Sequence, residues 1–213
     1  MTLLTKVVPP NLPIAKDEFT RLDEEYFRNV LRLYFNQLSQ LLNNVAGGIG
    51  GRYLQFPYAA IQRTTDVSFT ANTATQITFD QNDYLSGCAN DGTDGIEVSY
   101  EGIYNYQFSV QLRNADTQIH SAWIWLRKNG TDVDGTGSKF DVTASHGGTD
   151  GFVIAACNFF VNLAAGDTIE MWAAVSDTHI TFDAAGASTS PFAMPAIPSV
   201  VATLSFVSTP PVA

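Results

Sequence analysis

Residues 102–112, Gly102-Ile103-Tyr104-Asn105-Tyr106-Gln107-Phe108-Ser109-Val110-Gln111-Leu112, decide the fold class. Large apolar side chains occupy every second position, and amides and hydroxyls stand between them. Period two is the β-strand period, so the stretch predicts a strand with one buried and one wet face. The pattern recurs toward the C-terminus. Trp123-Ile124-Trp125-Leu126 is apolar on both faces and runs into Arg127-Lys128-Asn129-Gly130, where Asn-Gly marks a tight hairpin turn. Phe159, Val161 and Leu163 precede the turn Ala164-Ala165-Gly166-Asp167, and Ile169, Met171 and Trp172 make the next strand. Val200 to Val207 forms a last strand between Pro198 and Pro210. Short strands separated by turns, with no helix alternating between them, predict an all-β sandwich or barrel over residues 53–213.

The chain changes character upstream of this head. Residues 47–52 are a glycine-rich joint, Gly47-Gly48-Ile49-Gly50-Gly51-Arg52. Residues 17–46 lack Pro and Gly and read as a helix. Asp17 or Thr20 caps it, Thr20-Arg21-Leu22-Asp23 approximates a capping box, and acids crowd its first turns. Phe27, Leu31, Tyr34, Leu38, Leu41 and Val45 are spaced four, three, four, three, four, which is an a/d seam. Val30, Leu33, Phe35 and Leu42 widen its apolar face. Such a helix either associates with copies of itself or packs on its own β domain, and the glycine tether favours the first. Residues 1–16 carry Leu3, Leu4, Val7, Val8, Leu12 and Ile14 among Pro9, Pro10 and Pro13. Proline opposes helix there, so an extended attachment arm is expected.

The charge balance excludes several partners. Net charge is −10, with a pI near 4.5. An acidic surface repels phosphate backbones, so no nucleic-acid partner is expected. Nor is a membrane: there is no polybasic run, no signal peptide and no apolar stretch of spanning length. Cys88 and Cys157 lie far apart without a Cys-X-X-Cys partner and read as free buried thiols rather than a disulfide. His120, His146 and His179 share no metal-ligand spacing, and neither a nucleophile elbow nor a P-loop is present. A non-enzyme without cofactor or metal is expected. Asp132-Val133-Asp134-Gly135 faintly resembles a calcium loop, but its glycine is misplaced and the closing glutamate is missing. Asn129-Gly130-Thr131 matches a glycosylation sequon and reads as turn chemistry. Trp123, Trp125 and Trp172, set in apolar strands, read as core or subunit interface, with a sugar platform as the alternative.

Five motifs in order resemble the C1q/TNF-like jelly-roll family. They are Gln55 to Ala60, Ile77-Thr78-Phe79-Asp80, Gly102-Ile103-Tyr104-Asn105-Tyr106, Leu126-Arg127-Lys128-Asn129-Gly130 and Leu163-Ala164-Ala165-Gly166-Asp167. The chain departs from the family in two places. It has no collagen stalk, and Ala202 stands near the last strand's usual glycine. The tandem of a short helix with such a head resembles structural proteins of tailed bacteriophages. The resemblance implies a homotrimer on the virion exterior, assembled in the host cytoplasm, whose head packs through residues such as Tyr104, Tyr106 and Phe108. It implies a capsid decoration (cement) or head-fibre protein, held to other virion proteins, the capsid first, by arm and helix. The alternatives are a tail-fibre tip that contacts the host surface through head loops such as Asp132–Ser138 or His146–Gly151, and a stand-alone C1q-like binding module.

Overall fold

The computed structural model describes residues 9–12, 18, 20–46, 56–90 and 95–209. The chain divides into two units, residues 1–55 and 56–213. The expected joint and the arm residues Leu3, Leu4, Val7, Val8 and Ile14 lie outside the described residues.

In the first unit, α1 (Arg21–Ala46) starts four residues later than expected because Thr20 is its cap. The backbone N–H of Asp23 donates to Thr20 Oγ1 at 3.3 Å, and that of Thr20 donates to Asp23 Oδ2 at 3.2 Å. This is the reciprocal capping box, with Asp at the acidic position. Twenty-six residues at 1.5 Å each make a rod of about 39 Å.

The second unit is a β-sandwich. Its strands are β1 (Tyr58–Arg63), β2 (Val67–Ser68), β3 (Thr75–Ile77), β4 (Gln81–Ser86), β5 (Cys88–Ala89), β6 (Ile96–Val98) and β7 (Gly102–Asn114). There follow β8 (His120–Lys128), β9 (Thr131–Asp132), β10 (Ser138–Val142), β11 (Gly151–Leu163), β12 (Thr168–Val175), β13 (Ile180–Phe182) and β14 (Val200–Ser208). The first antiparallel sheet runs β4-β1-β14-β7-β11, and β13 with β2 continues along β7 past the start of β14. In the second sheet β10, β8 and β12 are neighbours, and β3 and β6 share the far side of β12. The chain changes sheet after β2, β3, β4, β6, β7, β10, β11 and β12.

Alternation explains the core. Even-numbered β7 residues from Tyr104 to Leu112 point inward, as do Ala122, Ile124 and Leu126 of β8 and Ile169, Met171 and Ala173 of β12. The Asn129-Gly130 turn sits between β8 and β9 with φ of 50° and 77°, the left-handed pair that a two-residue hairpin requires. Gly102 is needed for space: a Cβ there would lie 2.5 Å from the Phe206 ring. Two strands differ from expectation. The first begins at Tyr58, directly after Pro57, whose missing N–H cannot serve a ladder. The expected strand at Ile77–Asp80 ends at Ile77, because Asp80 turns to accept the Thr64 N–H at 2.8 Å.

Register sets the two poles of the head. Tyr58 of β1 pairs with Ser205 of β14, and Ser208 pairs with Ile103 at the start of β7. The head's first and last strands therefore begin and end at one pole. The loops 114–120, 143–150 and 176–179 gather at the other.

Candidate functional site

On α1, the seam residues Phe27, Leu31, Tyr34, Leu38 and Leu41 are half-buried, and Val45 is exposed. Leu22, Tyr26, Leu33, Phe35 and Leu42 are exposed as well, so the apolar surface is broader than one seam. Its polar counterpart repeats every seven residues as Asn29, Asn36 and Asn43, all exposed. No charge occurs from Leu33 to Ala46. In the arm, Leu12 is exposed.

The outer face of the first sheet has an interface-like composition. Strand β11 holds no charge and no proline along thirteen residues, and β7 is its only strand partner among the described residues. Its outward column includes Phe152, Ile154 and Phe160, exposed by 56, 65 and 65 %. Neighbouring columns present Asn105, Gln107, Ser109 and Gln111 on β7, Val201 and Thr203 on β14, and Tyr58 and Ala60 on β1. Gln107, Ser109, Ala156, Asn158, Val201 and Thr203 line a shallow hollow at its centre. Across β11, β7, β14 and β1 the one outward charge is Arg113. It lies toward the loop pole and is held by Asp150 at 2.6 Å and Asp183 at 3.4 Å.

The outer face of the second sheet is the opposite: charged and aromatic. Of the two places expected for Trp123, Trp125 and Trp172, core or subunit interface, the core needs correction, because none of the three enters it. Ala122, Ile124 and Leu126 fill the inward positions of β8, so the tryptophans between them must face out. Trp125 lies directly across from Trp172. The Trp125 indole N–H donates to Asp132 Oδ1 at 2.8 Å, and that of Trp172 to Glu170 Oε2 at 2.7 Å. The Arg127 guanidinium carbon stands 3.9 Å from the Trp172 ring centre, a cation–π contact, while its Nε donates to Asp132 at 2.6 Å. Hydrogen bonds from Arg127 and Trp125 hold the Asp132 carboxyl below its ordinary range. Asp132 is thus engaged by side chains of its own sheet.

All three histidines lie at the loop pole. His120 Nε2 lies 2.8 Å from Asp116 Oδ2, and His179 Nδ1 lies 2.6 Å from Asp177 Oδ1. The Asp177 hydrogen bond raises the His179 pKa. The His179 carbonyl accepts the Ala115 N–H, and the Asp116 carbonyl accepts the Ser145 N–H, so three loops are tied together. Among the described residues no three His, Cys, Asp or Glu side chains converge as metal ligands would. Both cysteines are free, half-buried rather than fully buried, and burial pushes the Cys88 thiol up to about 11. No described helix is long and apolar enough to cross a membrane.

No protein-family model matches the chain, and no curated protein matches it in sequence.

Two features escaped sequence reasoning. The outward aliphatics and aromatics of β11 are hidden in the run Phe152–Val161, where apolar residues at both parities conceal which face each side chain takes. The asparagine heptad on α1 was visible as a repeat, opposite a seam read for its apolar members alone.

Proposed function

We propose that the chain is a trimer-forming structural protein of a tailed-bacteriophage particle, without catalytic activity. Its head is a C1q/TNF-like jelly roll, and its arm and helix attach it to the capsid as a decoration or head-fibre protein. The observation that carries this reading is the charge-free, apolar outer face of the first sheet. Depletion of charge with exposed aromatics is the mark of an interface centre. A free edge strand as long and uncharged as β11 invites aggregation unless a partner covers it. In a chain of net charge −10, like copies meet at least electrostatic cost where charge is absent. The broad seam of α1 supports the same state. Strand order β4-β1-β14-β7-β11 facing β10-β8-β12, with the chain repeatedly crossing between sheets, supports the jelly-roll reading. The virion context rests on the Gly102–Tyr106 resemblance and the helix–head tandem.

Sedimentation equilibrium tests the first half: a stable monomer at micromolar concentration rejects it. For the second half, deletion of residues 1–16 should abolish attachment to particles and leave a soluble trimer. A truncated protein that still decorates particles would remove the arm from its role. A label at Ala213 should appear over the capsid, and label confined to the tail would reject the capsid assignment.

The polarity of the head favours a second reading, a receptor-contacting tip. Because the chain enters and leaves at one pole, the loop at 146–150 projects from the other. Of the two loops expected to contact a host, 132–138 is instead tied down by the Asp132 contacts. Purified protein that blocks phage adsorption would support this reading.

A further inference from the structure

On the outer face of the second sheet, Trp125 and Trp172 are committed to carboxylates and to Arg127, but Trp123 is not. It is 38 % exposed, and its indole N–H has no acceptor among the described residues. Across the ladder, one neighbour is Ala174, whose methyl group leaves the flank of the ring low. The other is Lys139, whose Nζ stands over one face of the ring, 6.0 Å from its centre, and leaves the opposite face to a ligand. Lys139 Nζ lies 2.9 Å from Asp141 Oδ1, and Ser121 Oγ donates to that oxygen at 2.6 Å. The ring is thus bordered by an ammonium donor, a carboxylate acceptor and a hydroxyl.

We propose that Trp123, with Ser121, Lys139 and Asp141, is a stacking subsite for a neutral pyranose unit of a surface polysaccharide. A pyranose carries C–H groups on one face and hydroxyls around its rim, each hydroxyl both donor and acceptor. The first matches an open indole face, and the second matches the mixed polar border. The two border charges cancel, which removes any preference for an anionic or a cationic ligand. The same border argues against a protein occupant. Lys139 and Asp141 side chains are 52 and 58 % exposed, and a protein interface would strip water from both. A sugar leaves them wet. A second copy of the chain has the uncharged sheet on the other side of the head to use instead. The subsite is complete within one chain and does not depend on trimer formation.

The full chain should be screened against an array of neutral hexose and N-acetylhexosamine oligosaccharides, with hits measured by saturation-transfer NMR. At least one oligosaccharide should bind, and Trp123→Ala should weaken it about tenfold or more, the scale of one lost stacking contact. Trp123→Phe should retain part of the affinity, and Asp141→Asn should reduce it. Unchanged circular dichroism would show that each variant folds. Phe160→Ser, on the opposite face, should leave sugar binding intact even if it dissociates the oligomer, which separates this site from the self-association reading. No binding by any oligosaccharide at about 10 mM, a concentration that detects very weak sites, overturns the proposal. So does undiminished binding by Trp123→Ala, or a Trp123→Ala change in oligomeric state in place of sugar affinity.

Discussion

Tyr104 and Tyr106 stand two residues apart on β7 and point into the same core, yet their hydroxyls are treated differently. Tyr104 donates to the Tyr100 carbonyl at 2.7 Å, whereas the Tyr106 hydroxyl is buried without a partner, and burial raises its pKa. Tyr104→Phe should therefore lower stability by about 0.5–1.5 kcal/mol, the net worth of one hydrogen bond. Tyr106→Phe removes an unpaired polar atom and should raise stability by about 1 kcal/mol. Urea midpoints at one fixed protein concentration compare the two. At the loop pole the His179–Asp177 pair makes a pH prediction. The hydrogen bond that its ring donates to Asp177 raises His179 above 6.5, so its contribution is whole below that value and fades as pH rises through the raised pKa. Asp177 is lowered, first by the His179 backbone N–H and then by its ring, so its contribution is present above 3.8 and fades as pH falls through the lowered pKa. The clasp is therefore intact at mildly acidic pH and loosens at either extreme. An NMR titration should place the His179 midpoint above 6.5, and Asp177→Asn should lower it. An unshifted wild-type midpoint would show that the pair does not form.

Single strands and the helix carry the self-association argument, and each can be tested separately. Ala156 lies outward at the centre of β11, beside the hollow, and is exposed in the single chain. If the chain forms the proposed trimer through this face, Ala156→Arg should leave the head folded and give a monomer, because three charges would otherwise be buried without partners. Sedimentation velocity reads the outcome, and an unchanged species would place the interface elsewhere. Period-two strands were legible because alternation and turn residues agreed: Tyr104 to Leu112 lies within β7, and Asn129-Gly130 is a left-handed hairpin turn. Strands apolar at both parities were not. Trp123-Ile124-Trp125-Leu126 does not disclose which pair faces the core, since burial of Ile and Leu outcompetes Trp only once the opposing sheet fixes the available space. The strands β4 to β6 carried no legible period-two signal, and the end of β3 was set by tertiary bonds such as Asp80 to Thr64, which no local pattern announces. The α1 seam was readable as apolar, but apolarity is the same whether a copy or a foreign surface covers it.

For the molecule as a whole, charge opposes the assembly that its apolar faces favour. Trimerisation triples a net charge of −10, and the repulsion is long-ranged and screened by salt. Raising ionic strength from about 20 mM to about 0.5 M should therefore tighten self-association, and light scattering across that series checks it. A looser oligomer in high salt would mean that ion pairs hold the copies together. The class of the head was readable from many strands that each voted the same way. Its two chemically opposite faces were not, because they arise from the register that aligns β11 with β7 and β8 with β12. The pole that holds both ends of the head has a separate engineering consequence. Tyr58 and Ser205 are direct ladder partners, so a short linker could rejoin the head's natural ends. The backbone could then be reopened at Gly147-Gly148, where added side chains would meet open space. Such a circular permutant would keep both sheets and turn the distal loops into termini, ready for grafted peptides.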